Sequence, residues 1–315
     1  MKVGILESLG ITETELKNHM EPLEKMGVEF SIFNRETNPE ILKEEIKGLD
    51  AVIVANMPFN DEVIASSDKL SFIDVAFTGI DHIGLNAAKE KGIKVSNASG
   101  YSTEAVAEWA IGTTLSLYRY LRETEALCRA SSTKGSYIGY EIKGKTVGIV
   151  GLGNIGKRVA ELFHAFGANV LAYSRHIKED APEYVKQVNL EELLKKSDIV
   201  TLHCPINDDS RGLINKDTLA LMKEDAILLN ASRGPVVVTE DLKQALASGK
   251  IKSAALDVFE NEPPLANDYP LFDNTNILLT PHIGFATKEA MRIRADIVFD
   301  NLKAYIEGNQ KNIIL

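Results

Sequence analysis

The chain begins with short apolar or β-branched runs, "KVGILE", "EFSIFN", "AVIVAN", "SFIDVAF" and "KVSNA", each separated from the next by a polar stretch of helical period. Such alternation predicts strands and helices in turn, and hence a parallel sheet with helices on both faces. After Gly100 the segment "STEAVAEWAIGTTLSLYRYLRETEALC" contains no proline; Ser102 suits an N-cap, and helix is predicted through Cys128. The pattern then resumes. Strands are predicted at 147–150, 170–173, "DIVTLHC", "AILLNAS", "SAALDVF" and "NILLTP", with helical stretches such as "LEELLKKS" and "VTEDLKQALASGK" between them and a last helix in "TKEAMRIRADIVFDNLKAYIEG". No low-complexity linker or internal repeat interrupts the chain, so two α/β halves knit by helices, with a cleft between them, are expected.

One turn carries chemistry by its spacing. The stretch "KTVGIVGLGNIGKRVAELFHAFG" sets an apolar run before Gly151, Gly153 and Gly156, and an amphipathic helix (Val159, Leu162, Phe163, Phe166) after them. In the dinucleotide fingerprint the first glycine makes the tight turn, the second lets the pyrophosphate approach the backbone, and the third lets helix and strand pack closely. The amides at the helix start, where Asn154 and Ile155 stand, then face the phosphates, and the helix dipole favours the anion. The second strand of such a unit ordinarily ends on an acid that binds the ribose. Here it ends on Ser174 and Arg175, with His176 and Lys178 just beyond.

Composition narrows the classes. At 315 residues and 44% hydrophobic content the chain is long enough for about two domains with ordinary cores. A formal charge of −10 argues against non-specific nucleic-acid binding, which needs a basic face. No apolar run approaches the ~20 residues of a membrane span, and "MKVGILES" reads as a strand rather than a leader, so a cytoplasmic protein without a membrane partner is expected. The two cysteines, Cys128 and Cys204, lie far apart and indicate neither a metal site nor a disulfide.

Three residues follow the late strands: Arg233 in "NASRGP", Glu262 in "DVFENEPP" and His282 in "TPHIGFAT". In an open parallel sheet ligands bind at that edge. A guanidinium can hold a substrate carboxylate through two N–H bonds. An imidazolium can supply a proton to an oxygen that gains negative charge in a reaction. A carboxylate beside the imidazole favours its charged form and fixes its tautomer. These are the roles expected of Arg233, His282 and Glu262 as the catalytic set. His203 in "LHCP" lines the strand edge and is expected to border the cofactor, whereas His19, His82 and His164 fit structural places.

At this point the sequence resembles the D-isomer-specific 2-hydroxyacid dehydrogenase family. The resemblance runs through "FTGIDHIGL", "NASGYSTEAVAEW", "KTVGIVGLGNIG", "LHCPINDDSRGLIN", "LLNASRGPVVVTEDLKQAL", "AALDVFENEPP" and "LTPHIGFATKEA". It implies an α/β fold of two doubly wound parallel-sheet domains. A Rossmann-type dinucleotide-binding domain would span 100–285, and a flavodoxin-like substrate-binding domain would combine 1–99 with 286–315. It also implies that Arg233, Glu262 and His282 carry out hydride-transfer chemistry on a 2-oxo or 2-hydroxy acid, with a substrate carboxylate held by the backbone N–H groups of Thr78 and Gly79, a nicotinamide amide contact at Asp257, and a cofactor lining at Pro205 and Ala231. Met57 and Phe285 are expected to shape the substrate pocket. The family pairs subunits through the segment from Ser102 to Cys128, so a homodimer is expected. The apolar Trp109, Ile111, Leu115 and Leu117 add to that expectation, since they exceed what one helix face needs.

Members that prefer NAD carry an acid at the position of Ser174. Its absence, with Arg175 beside it, points to NADP over NAD, because an arginine accommodates a 2′-phosphate. The expected function is therefore reduction of a small unphosphorylated 2-oxo acid to the D-2-hydroxy acid. "ANMPF" offers no cation for a phosphate. The alternatives are an NAD-dependent hydroxypyruvate or glyoxylate reductase and, from another class, a nucleotide-sensing protein like the C-terminal-binding corepressors, which share the fold.

Overall fold

The apolar runs of the first hundred residues form five strands: β1 (Lys2–Ile5), β2 (Glu29–Ile32), β3 (Ala51–Val54), β4 (Phe72–Val75) and β5 (Lys94–Asn97). All pair in parallel, in the order β2-β1-β3-β4-β5. β3 and β4 are buried at every position, as strands covered on both faces must be. The computed structural model describes all residues, 1–315, and this sheet belongs to a first compact unit made of Met1–Ser102 and Ala286–Leu315. The final helix, Lys288–Ile306, closes one face: Tyr305 stacks on Phe72 with ring centroids 4.2 Å apart, and Phe299 stacks on His19 at 5.0 Å. Residues after that helix return to β5, where Val95 N donates to Leu315 O and Asn97 N donates to Asn312 O.

The second unit, Thr103–Phe285, holds seven strands. They are β6 (Thr146–Val150), β7 (Asn169–Tyr173), β8 (Val185–Gln187), β9 (Ile199–Leu202), β10 (Ile227–Asn230), β11 (Ser253–Leu256) and β12 (Ile277–Leu279). Their order is β12-β11-β10-β9-β6-β7-β8, again all parallel. The order reverses between β6 and β9, and in doubly wound sheets such a switch point is where ligands bind. Ile149, Ile199, Ile227 and Leu229 fill one face with Phe163 and Ala107. Val200, Leu202, Leu228 and Leu256 fill the other with Leu193 and Leu242. Truncating one of these side chains to alanine costs about 2–5 kcal/mol.

Two local features depart from the expected pattern. Residues 102–128 are not one helix: Thr103–Tyr118 and Leu121–Arg129 are separate, with Tyr120 at φ 51° between them. The short β8 gave no apolar run to predict it, since only Val185 of its three residues is buried. Of the four apolar residues expected to favour a dimer, Ile111 is buried in the second unit's own core, and Trp109, Leu115 and Leu117 pack against that core. The dimer expectation is left with the family resemblance alone.

Candidate active site

Register across the second sheet brings the candidates into line. Tyr173, Val150, Leu202, Asn230, Leu256 and Leu279 form one row of paired residues. The next residue in each strand is Ser174, Gly151, His203, Ala231, Asp257 and Thr280. Loops that leave parallel strands from one row leave the same edge of the sheet. Arg233, Glu262 and His282 stand on the loops after β10, β11 and β12, three adjacent strands of that edge.

The glycine turn fits a dinucleotide. Gly151 has φ 101°, and a Cβ there would lie 2.7 Å from the His203 carbonyl carbon. A Cβ on Gly156 would lie 2.0 Å from Gly151 O, so only glycine lets the helix Asn154–Ala165 approach β6 so closely. A Cβ on Gly153 would meet nothing within 4 Å, and no side chain caps the helix there. Lys157 is the first residue to donate back into the helix, so the amides of Asn154, Ile155 and Gly156 are unpaired donors that could hold a pyrophosphate. Ser174 Oγ accepts from Leu152 N at 2.9 Å, tying β7 to this turn. Arg175 is exposed, and its Nη1 donates to Asp209 Oδ2 at 2.7 Å.

His203 is half-buried. Its Nε2 lies 2.8 Å from Thr201 Oγ1, and its Nδ1 is screened from solvent without a partner. Burial lowers its pKa to about 3. It is therefore neutral near pH 7 and unsuited to donate a proton. Burial also pushes the Cys204 thiol up to about 11, so this cysteine is inert at neutral pH. Pro205 is exposed and Ala231 half-buried beside the same edge.

His282 is held from two sides. Its Nδ1 lies 2.8 Å from Glu262 Oε2, which sets Nδ1 as the protonated nitrogen and turns Nε2 away from the pair. The Phe285 ring meets the imidazole edge-on at 5.3 Å. The backbone of His282 has φ 53°, and its N–H donates to Asp257 O at 2.8 Å. Asp257 does more. Its buried carboxylate accepts Ile283 N at 2.8 Å, Gly284 N at 2.7 Å and Thr280 Oγ1 at 2.6 Å. Thr280 Oγ1 accepts in turn from Trp109 Nε1 at 3.2 Å. Sequence reasoning gave Asp257 only a cofactor contact and Trp109 only surplus apolar area, and it passed over Thr280. An acid at a strand end 25 residues before a histidine loop was the available signal.

The Arg233 turn is stapled by Asn230, whose Oδ1 accepts Ser232 N at 3.0 Å and whose Nδ2 donates to Arg233 O at 2.9 Å. Arg233 Nη1 donates to Ser232 O at 2.8 Å.

In the first unit Met57 is fully buried, while Thr78 and Gly79 form a half-exposed turn after β4. Asn97 Nδ2 fixes this turn through Thr78 O at 2.8 Å, and the backbone N–H groups of Thr78 and Gly79 carry no hydrogen bond within the unit. Glu7 is a residue the sequence did not flag. Its Oε1 accepts Ala55 N at 2.7 Å and Met57 N at 3.0 Å, which pins the loop after β3. Arg35 was missed as well; it donates to Glu7 Oε2 at 2.8 Å and to Asn56 Oδ1 at 2.6 Å, so its charge is already matched by Glu7.

Residues 111–284 match the family described as D-isomer specific 2-hydroxyacid dehydrogenase, NAD binding domain. A hydroxypyruvate reductase of Blautia hydrogenotrophica is 34% identical over 325 residues, covering 100% of this chain and 99% of that protein. The chain belongs to the D-isomer-specific 2-hydroxyacid dehydrogenase family. It is accordingly an NAD(P)-dependent oxidoreductase acting on the CH–OH group. Two further proteins are similar to the chain. The D-3-phosphoglycerate dehydrogenase of Methanocaldococcus jannaschii is 37% identical over 303 residues, 95% of this chain but 57% of its own length. The structure of the acyclic imino acid reductase Bsp5, in complex with NADPH and D-Arg, aligns over 100% of both chains with a TM-score of 0.91 and 28% identity. No helix of this dehydrogenase is long and apolar enough to cross a membrane.

Proposed function

We propose that this chain is an NADP(H)-preferring reductase that converts a small unphosphorylated 2-oxo acid to its D-2-hydroxy acid. The observation that carries the reading is the His282–Glu262 pair, 2.8 Å apart, at the edge of the sheet that also bears the glycine turn. The turn amides of Asn154, Ile155 and Gly156 would hold the pyrophosphate of a reduced nicotinamide dinucleotide, which would supply a hydride for the substrate carbonyl carbon. His282 Nε2 gives a proton to the ketone oxygen, and Glu262 holds the imidazole in the tautomer that makes this possible while balancing its charge. Arg233 anchors the substrate carboxylate and draws negative charge onto the ketone oxygen. In the reverse direction His282 accepts the proton. The first unit is read as the substrate-binding domain and the second as the cofactor domain. The free amides of Thr78 and Gly79 suit a carboxylate, and the partly exposed Phe285 suits an apolar or hydroxymethyl tail; the fully buried Met57 offers no surface to it. D configuration rests on family membership.

Two features support NADP. Ser174 Oγ already accepts from Leu152 N, so its own proton is left to donate, which suits an anionic oxygen better than an acid at this place would. Arg175 stands next to it and is exposed. The structurally similar imino acid reductase was solved with NADPH bound.

Hydroxypyruvate is the first substrate to test, given the relative that reduces it. Steady-state rates for pyruvate, hydroxypyruvate, glyoxylate, 2-oxoisocaproate, phenylpyruvate and 3-phosphohydroxypyruvate, each with NADPH and NADH, test the reading. The expected result is the highest kcat/KM with an unphosphorylated acid and NADPH. A highest value with 3-phosphohydroxypyruvate refutes the substrate class. Equal rates with both cofactors refute the preference.

A further inference from the structure

The acid missing from the end of β7 has a counterpart in the loop after β9, two strands away along the same sheet edge. Asp209 follows β9, and its Oδ2 accepts from Arg175 Nη1 at 2.7 Å. The turn that carries Asp209 is built. Asn207 Oδ1 accepts Asp209 N at 3.0 Å and Ser210 N at 3.1 Å, Ser210 Oγ accepts Asn207 N at 2.8 Å, and Ser210 Oγ donates to Pro205 O at 2.7 Å. Asp209 is thus presented by a closed network at the strand end where Ser174 and Arg175 stand, rather than by a loose loop.

We propose that Asp209 is a cofactor-specificity residue, a tethered counter-ion to Arg175 that weakens the hold on a 2′-phosphate and so narrows the preference for NADPH over NADH. The inference rests on the reading of Arg175 as the 2′-phosphate ligand. Both partners are mostly exposed, 63% and 68%, so their ion pair adds little stability and the guanidinium can turn to a phosphate. The turn fixes the Asp209 backbone, so its carboxylate stays within side-chain reach of Arg175. A bound 2′-phosphate therefore meets Arg175 together with a like charge within a few ångströms. With NADH no phosphate is present, the pair stays intact, and no repulsion arises. An acid on β7 itself would exclude NADP outright; an acid on the loop after β9, already paired, only reduces the preference.

The test is the dissociation constant of NADPH and of NADH, read from nicotinamide fluorescence at low and high salt, in the wild-type protein and in Asp209→Asn, Asp209→Ser and Arg175→Ala. Calorimetry with 2′,5′-ADP, which carries the phosphate without the nicotinamide, provides a second readout. Both Asp209 variants are expected to tighten NADPH and 2′,5′-ADP binding about 3- to 10-fold at low salt, with less gain at high salt. NADH binding is expected to stay nearly constant. Arg175→Ala is expected to weaken NADPH alone. If Arg175→Ala weakens NADPH but the Asp209 variants leave it unchanged or weaker, the Asp209 role is overturned and the cofactor reading stands. If Arg175→Ala leaves NADPH binding unchanged, the 2′-phosphate does not lie beside Arg175, and both ideas fall.

Discussion

Asp257 holds the backbone of Gly284, accepting its N–H at 2.7 Å on Oδ2 while Oδ1 takes the N–H of Ile283 at 2.8 Å. With the Asp257 carbonyl bonded to His282 N, one residue grips three successive amides of the histidine loop. That grip accounts for His282 at φ 53°, a conformation that persists only where its surroundings impose it.

Thr280 should therefore matter to catalysis although it is two residues from the histidine. Thr280→Val keeps the shape but strips Asp257 Oδ1 of one donor and leaves the Trp109 indole N–H without its acceptor. Leaving such buried groups unpaired costs about 1–3 kcal/mol. The expected outcome is a lower melting temperature and a kcat reduced about tenfold or more with cofactor affinity kept, while Thr280→Ser restores both. A Thr280→Val enzyme with unchanged kcat would remove Thr280 from the loop's support.

The two contributions of Glu262 can be separated. Glu262→Gln keeps an oxygen to accept from His282 Nδ1 and loses the charge, whereas Glu262→Ala loses both. The charge and the tautomer each support proton transfer. A graded loss of kcat is expected, larger for Ala than for Gln, and equal activity in all three proteins would contradict the pairing as a catalytic one.

Asp74 makes a pH-dependent contribution to the first unit. It lies fully buried on β4; Oδ1 accepts Asn301 Nδ2 at 3.0 Å, and Oδ2 has no partner. Burial raises its pKa well above the usual carboxylate value. A raised folded-state pKa gives stability that is complete below the unfolded value of about 3.9 and is lost as pH rises toward the folded value. Asp74→Asn removes that loss. Its melting temperature should match the wild type near pH 4 and exceed it by about 2–4 °C at pH 8. A difference that does not change with pH would show that Asp74 does not titrate on unfolding.

Except for β8, the strands were legible in the sequence because each is a short apolar or β-branched run, and the glycine turn because its three glycines fall between a strand and a helix. Arg233, Glu262 and His282 were legible as residues directly after such runs; one register row then explains why Ser174, Gly151, His203, Ala231, Asp257 and Thr280 share an edge. What stayed hidden is non-local. The bonds of Asp257 to Ile283 and Gly284, of Trp109 to Thr280, of Arg175 to Asp209 and of Arg35 to Asn56 join residues that no local period connects. The break at Tyr120 was invisible for another reason. Neither proline nor glycine marks it, and the helical pattern continues across it.

The central claim is that His282 delivers the proton in 2-oxo acid reduction. Asparagine is the substitution to use, because it tolerates the positive φ that alanine would resist, yet it cannot donate a proton at neutral pH. The measurement is kcat for hydroxypyruvate reduction by NADPH in His282→Asn and wild type, with NADPH affinity measured on the same preparations. The account predicts a kcat lower by about 10²- to 10⁴-fold with NADPH affinity little changed. A His282→Asn enzyme that keeps kcat within a factor of about ten would contradict it.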